Sequence, residues 1–139
     1  MASEFLDAED YASVERAARV LSGGRTLNAC TEDWAQLVES VEQGFDTRWA
    51  FEFDDEVWAR TGLGNAWPIL TERVRRIRQP ELDALDERFR AASAPMLGMS
   101  EESVALQERW WQYRYPLRVT GDPGGELPHT WSPAPVNLG

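Results

Sequence analysis

The stretch EFDDE, residues 52–56, places four carboxylates within five positions. A calcium loop of the common type needs alternating acids around a central glycine, and this stretch has neither. It also has no neighbouring histidine to complete a transition-metal site. We therefore predict no metal and no cofactor here, and we interpret the four acids as the start of a short helix or as a docking surface. They are Glu52, Asp54, Asp55 and Glu56.

Few other residues have the chemistry that catalysis needs. His129 is the only histidine and lies in a segment rich in proline and glycine, whereas a general base is normally held on a rigid element. Cys30 is the only cysteine, and the nearby Glu32 and Asp33 oppose the low pKa of a reactive thiol. The stretch GLGNAW, residues 62–67, lacks the third glycine of a dinucleotide site and is typical of a turn. We predict a protein without catalytic activity.

The charge is strongly negative and unevenly distributed. The 139 residues carry 24 acids and 14 bases, for a net charge of −10, and every base is an arginine. Fourteen of the acids but only five of the arginines lie in residues 1–67. Such a field repels nucleic acid and anionic membranes and speeds the encounter with basic partners. We expect the one basic cluster, RVRRIR at 73–78, to pair with the acidic half of the chain and not with nucleic acid.

The sequence is typical of a cytoplasmic protein. A single cysteine cannot form an internal disulfide, which indicates a reducing compartment. The first residues are acidic and lack the basic start of a secretory signal, and no apolar run approaches the roughly 18 residues of a membrane span. Many bacterial cytoplasmic proteins have this acidic composition.

Aromatic side chains are abundant, above all in ERWWQYRYPLRV at 108–119. The chain has seven tryptophans, and tryptophan is seldom fully buried. Tryptophan, tyrosine and arginine also dominate the hot spots of protein interfaces. We predict a partner-binding face that combines the acids of 52–56 with aromatic anchors, namely Trp58, Trp110, Tyr113 and Tyr115. The alternative is that these rings belong to the core and only their polar tips reach the surface.

Apolar residues at steps of three and four predict mainly helices. The first covers about 4–22, and glycines at 23 and 24 end it. Thr31 is the predicted N-cap of the second, which ends at Gly44. Another helix begins near Pro68, a new one begins at Pro80 with an Asp86–Arg90 ion pair, and Ser100 caps a last helix that reaches about Gln112.

Residues 49–53 are ambiguous. Trp49, Phe51 and Phe53 alternate with small or polar residues, a period of two that suits a strand. Such a strand would pair with 113–119, so that its acids face arginines. After such a strand, Asp54 or Asp55 could cap a short helix through Trp58 to Thr61 that Gly62 ends. A loop or helical turn that tucks the three rings into the core is the alternative, and we favour it because the other segments are helical.

We predict a mainly α, single compact domain of five or six short helices. Residues 1–119 form the helical part. Residues 120–139 hold four prolines and four glycines and form either a disordered tail or an extended C-terminal strap. Trp131 favours a strap of which at least part docks on the core.

This architecture suggests a small acidic protein-binding module that neutralises or regulates a basic partner, as an immunity protein, antitoxin or inhibitor does. One alternative is a structural subunit or homo-oligomer whose aromatic face is its own interface. Another is a helical enzyme or small-molecule-binding domain. Its pocket would be lined by Trp49, Trp58, Trp67, Tyr113 and an acid such as Glu52 or Asp55.

Overall fold

The computed structural model describes residues 5–139. It is compact and mainly helical, as the sequence predicts. Its six α-helices are α1 (Ala8–Ala18), α2 (Leu27–Gln43), α3 (Phe53–Glu56), α4 (Trp58–Ala66), α5 (Glu72–Ala91) and α6 (Glu101–Ala105). Short 3₁₀ helices cover Ser22–Gly24, Thr47–Glu52, Trp67–Ile69 and Trp110–Tyr113.

Helix α1 begins with a reciprocal capping pair. The Asp7 carboxylate accepts the backbone N–H of Asp10, and the Asp10 carboxylate accepts that of Asp7, both at 2.9 Å. The helix ends at Ala18, earlier than the predicted residue 22, and the predicted start at residue 4 lies outside the described residues.

Helix α2 begins one turn earlier than its sequence suggests. Thr26, not Thr31, is the N-cap, since its hydroxyl accepts the backbone N–H of Ala29 at 3.0 Å. Thr31 lies inside the helix, where its hydroxyl donates to the carbonyl of Leu27. The buried side chains of Leu27 and Cys30 extend the apolar face toward the N-terminus, so the helix starts before the acids that seemed to mark its first turn.

The predicted strand at 49–53 is wrong. The favoured alternative is correct in its helical turn but wrong in placing three rings in the core, because Phe53 is buried whereas Trp49 is 49% exposed and Phe51 is 61% exposed. Asp46 starts a 3₁₀ helix by accepting the backbone N–H of Arg48 at 2.9 Å, and α3 and α4 follow it almost without interruption. Because the chain is already helical there, neither Asp54 nor Asp55 acts as a cap. Helix α4 also continues through Gly62, where a Cβ would come within 3.1 Å of Leu21. The glycine permits close packing and does not end the helix.

Pro80 lies in the middle of α5 and does not start a new helix. Its ring is exposed, so the one backbone hydrogen bond that it removes faces water. The Gln79 side chain donates to Asp83 at 2.7 Å and spans the proline. Leu82, Leu85 and Phe89 then keep one continuous buried stripe. Burial along this stripe outweighs the missing hydrogen bond.

Ser100 caps α6 as predicted, with its hydroxyl accepting the backbone N–H of Ser103. The helix ends at Ala105, well before the predicted Gln112, and the chain then turns into the 3₁₀ helix at Trp110–Tyr113.

Two small sheets join distant parts of the described chain. Antiparallel strands β2 (Ser93–Pro95) and β3 (Arg114–Pro116) form one. In the other, β4 (Arg118–Thr120) lies between β1 (Phe45–Asp46) and β5 (Val136–Asn137), and both pairings are parallel. Most of 113–119 is therefore extended, but its partners are not 49–53, because that segment is helical.

The C-terminal segment contributes a ring to the core. Trp131 is 4% exposed, and its ring centroid lies 5.5 Å from that of Phe53 and 6.1 Å from that of Tyr115. The Tyr115 hydroxyl donates to the carbonyl of Pro133 at 2.6 Å. The docking that Trp131 suggested is confirmed.

A buried ionic cluster connects three helices. Arg60 of α4 donates to both carboxylate oxygens of Asp86 in α5, at 2.8 and 3.0 Å. The Trp34 indole of α2 donates to the same carboxylate at 3.2 Å, and the Arg60 guanidinium lies 4.2 Å from the Trp111 ring centre. The predicted Asp86–Arg90 pair is therefore wrong, because Asp86 faces the core.

Candidate functional site

An open groove of about 650 Å³ runs between α2 and the α3–α4 segment. The 3₁₀ helix at 47–52 lies at one end. Its buried lining residues come from α2, from β1 and from the segment that follows α1, and they form an apolar base. They are Leu21, Cys30, Leu37 and Phe45.

Two half-exposed tryptophans line the groove. Trp49 is 49% exposed and Trp58 is 51% exposed. Each indole already has a guanidinium near it, since Arg48 lies 5.6 Å from the Trp49 ring centre and Arg109 lies 5.7 Å from that of Trp58. Both rings therefore sit in surroundings that suit a cation while leaving much of their surface open to a ligand.

The charged lining consists of one arginine and four carboxylates. Arg25 pairs with Asp33 through two hydrogen bonds of 2.6 and 3.1 Å, and Asp46 pairs with Arg48 at 3.1 Å. Asp55 and Glu56 have no ion-pair partner among residues 5–139. The groove thus keeps an uncompensated negative charge on its α3 side.

Two acids of α3 lie in an environment that disfavours their ionised form. Partial burial, together with the Glu52 carboxylate, raises the pKa of Glu56. Partial burial, together with Asp55, raises the pKa of Asp54. Both shifts mean that the ionised form is less well solvated than in water. A cation placed beside these carboxylates would relieve that cost.

The structure brings together only some of the predicted binding residues. The four acids of 52–56 are exposed and adjoin Trp58 in sequence, and two of them, Asp55 and Glu56, line the groove with it. Tyr113 is 38% exposed but does not line the groove, and neither does Trp110, which lies half-buried beneath the guanidinium of Arg90.

Tyr115 is a correction, because it is 1% exposed and belongs to the core. Strand β3 directs this side chain inward against Trp131, where it cannot contact a partner.

The pocket predicted for a small molecule is also only partly formed. Trp49, Trp58 and Asp55 line the groove, whereas Trp67 does not and instead donates from its indole to Gln79 at 2.7 Å. Sequence reasoning missed the polar wall that α2 contributes. Its signal was present, since these side chains recur at steps of three and four on one helical face. They are Asp33, Gln36, Ser40 and Gln43.

Cys30 is a structural thiol at the base of the groove. Its Sγ donates to the carbonyl of Ala59 at 3.2 Å. Burial and the neighbouring Asp33 carboxylate raise the pKa of this thiol, which disfavours the nucleophilic thiolate.

No family model, curated protein or solved structure matches this chain. Within residues 5–139 no three histidine, cysteine or acidic side chains gather as metal ligands would. None of the helices in this range combines the length and apolar character needed to cross a bilayer. Functional assignment therefore rests on the chemistry of the groove.

Proposed function

We propose that this protein is a non-catalytic, acidic binding module that recognises a basic protein partner. One observation carries the proposal. Four exposed carboxylates lie within five residues, without an arginine paired to any of them in the described chain, and they adjoin a half-exposed indole. These acids are Glu52, Asp54, Asp55 and Glu56, and the indole is that of Trp58.

The exposed acids act mainly on the rate of encounter. A net charge of −10 attracts a cationic surface over a distance set by salt, and unpaired carboxylates concentrate that attraction at α3. The carboxylates elsewhere that already pair with arginine, such as Glu42 with Arg88 and Glu101 with Arg114, contribute less to this field.

The tryptophans act as anchors once the partner has arrived. Trp49 and Trp58 are large and half-exposed aromatic residues, and tryptophan is among the residue types that dominate binding energy at interfaces. By covering a cationic surface, the module would block the activity of a basic partner, as inhibitors of nucleases do. We assign this role to the cytoplasm, where the free Cys30 thiol stays reduced.

The test is affinity capture from the native organism at two salt concentrations. Raising ionic strength from about 0.01 M to about 0.15 M shortens the screening length from roughly 30 Å to roughly 8 Å, so a steered partner should be captured more weakly. The quadruple variant E52Q/D54N/D55N/E56Q should lose the same partner. Identification of the retained protein by mass spectrometry should show a basic polypeptide.

A matched control separates local charge from total charge. The variant E15Q/E81Q/E102Q/E126Q removes four acids that are exposed and have no ion pair in the described chain. It should retain the partner. Equal loss in both quadruple variants, or capture that does not change with salt, would contradict a docking role for the 52–56 acids.

A further inference from the structure

We propose that the groove between α2 and α3–α4 is the docking site itself, and that it holds an extended, arginine-bearing segment of the partner protein. This inference rests on the proposed function and names the place and the chemistry of recognition.

The length of the groove fits a peptide segment better than a single small cation. Its lining residues on α2 run from Cys30 to Gln43, which at 1.5 Å per residue is about 20 Å of helix. An extended chain rises roughly 3.3 Å per residue, so about six residues span that distance. The volume of about 650 Å³ lies within the range of sites that enclose a ligand of considerable size.

The charges on the two walls favour arginine in that segment. The α2 wall is locally neutral, because Asp33 forms an ion pair with Arg25, which lies just before the helix. The α3 wall offers Asp55 and Glu56 without a cationic partner in residues 5–139. A guanidinium can donate two parallel hydrogen bonds to a carboxylate, which an ammonium cannot do.

The two indoles independently favour arginine in the bound segment. The protein's own guanidinium groups, those of Arg48 and Arg109, lie within 6 Å of the ring centres of Trp49 and Trp58. About half of each side chain is still exposed. Arginine stacks on aromatic faces more readily than lysine does, so the open surfaces suit further guanidinium groups.

The experiment uses defined peptides and fluorescence polarisation. A labelled hexapeptide of alternating arginine and glycine is titrated with the wild-type protein, and a citrulline version of the same length serves as the uncharged match. We expect the arginine peptide to bind about tenfold more tightly than its citrulline match, since one charge-assisted contact of ordinary strength gives that factor.

Two groove variants locate the binding. W49A/W58A and D55N/E56Q should each weaken the arginine peptide about tenfold, because each removes two contacts of modest strength. The controls are L106A, which removes an apolar side chain that is 85% exposed outside the groove, and E81Q/E102Q, which removes two exposed acids elsewhere. Neither control should change the affinity by more than about twofold. Circular dichroism verifies that each variant is folded, and W49F/W58F, which keeps two rings, should bind with intermediate affinity.

Three results would overturn the docking site. One is the absence of binding, or equal binding of the arginine and citrulline peptides. Another is equal affinity of wild type and W49A/W58A. The third is binding of arginine amide as tight as that of the hexapeptide, which would identify a small-molecule site. If W49A/W58A still captured a basic partner in a salt-dependent way, the groove assignment would fail while the acidic binding function would remain.

Discussion

The buried cluster around Asp86 and the groove beside α3 contain the same three chemical groups, namely carboxylates, guanidinium groups and indoles. In the cluster, Arg60 and Trp34 donate three hydrogen bonds to one carboxylate, and the Trp111 ring covers the guanidinium. In the groove, Asp55 and Glu56 have no cationic partner in the described chain. The chemical groups are alike, but the carboxylate in the cluster is fully paired, whereas the two carboxylates in the groove are unpaired.

This difference in pairing indicates that the cluster has a structural role and the groove a binding role. Every buried side-chain nitrogen and oxygen in residues 5–139 has a hydrogen-bond partner, so the cluster has nothing left to offer a ligand. It fixes how α2, α4 and α5 meet. The groove keeps unpaired charge and open aromatic surface, which stabilise the fold little and leave binding capacity for another molecule.

Breaking the buried cluster should have the largest effect. Asp86→Ala leaves the Arg60 guanidinium buried without its counter-ion, which typically costs about 3–5 kcal/mol in the free energy of unfolding. Urea denaturation followed by fluorescence measures it. The double variant R60M/D86L removes both charges and should recover part of the loss. A loss below about 1 kcal/mol for Asp86→Ala would show that the pair is solvated after all.

An intermediate effect should follow from Thr61, which completes the cluster. Its hydroxyl accepts the indole N–H of Trp111 at 2.8 Å and the side-chain amide of Gln112 at 2.9 Å. Thr61→Val keeps the shape but leaves a buried indole N–H unpaired, so we expect a loss of about 1–3 kcal/mol in thermal or urea unfolding. Thr61→Ser keeps the hydroxyl and should lose less. Equal losses in the two variants would assign the effect to packing.

The smallest effect, and one of opposite sign, is expected at the acids of α3. Because the folded-state pKa values of Asp54 and Glu56 are raised, these groups lower stability once the pH exceeds their unfolded values. D54N/E56Q should therefore be slightly more stable than wild type at pH 7, by no more than about 0.5 kcal/mol. Urea unfolding at a series of pH values should show the gain closing as the pH falls through the raised pKa values. A constant loss at every pH would contradict this electrostatic assignment.

The sequence predicted the helical class because periodic apolar residues indicate a helix even when the residues at its ends give no clear signal. The ends were missed at Thr31, Gly62 and Pro80, where a residue type that often caps or breaks a helix lies inside one. Gly62 lets Leu21 approach α4, and Pro80 keeps its ring on the exposed face. Local rules could not reveal either reason, because one depends on a contact with a distant residue and the other on which face of α5 the rest of the fold buries.

The candidate site was predictable to the extent that it is local. Four acids within five residues are exposed because burying so many charges is costly, and that is visible without coordinates. The groove is not local, since it needs α2 beside α4. Asp86 shows the same limit, because Arg90 was the nearer arginine in sequence whereas Arg60, 26 residues away, is its partner.

The single thiol at the base of the groove can report how often the protein opens locally. Cys30 is 5% exposed and lies against the Ala59 carbonyl, so an alkylating reagent reaches it only when α2 and α4 transiently separate. With one cysteine in the sequence, the labelling rate reports that single opening without further engineering. A ligand bound between α2 and α4 would therefore lower the labelling rate of Cys30.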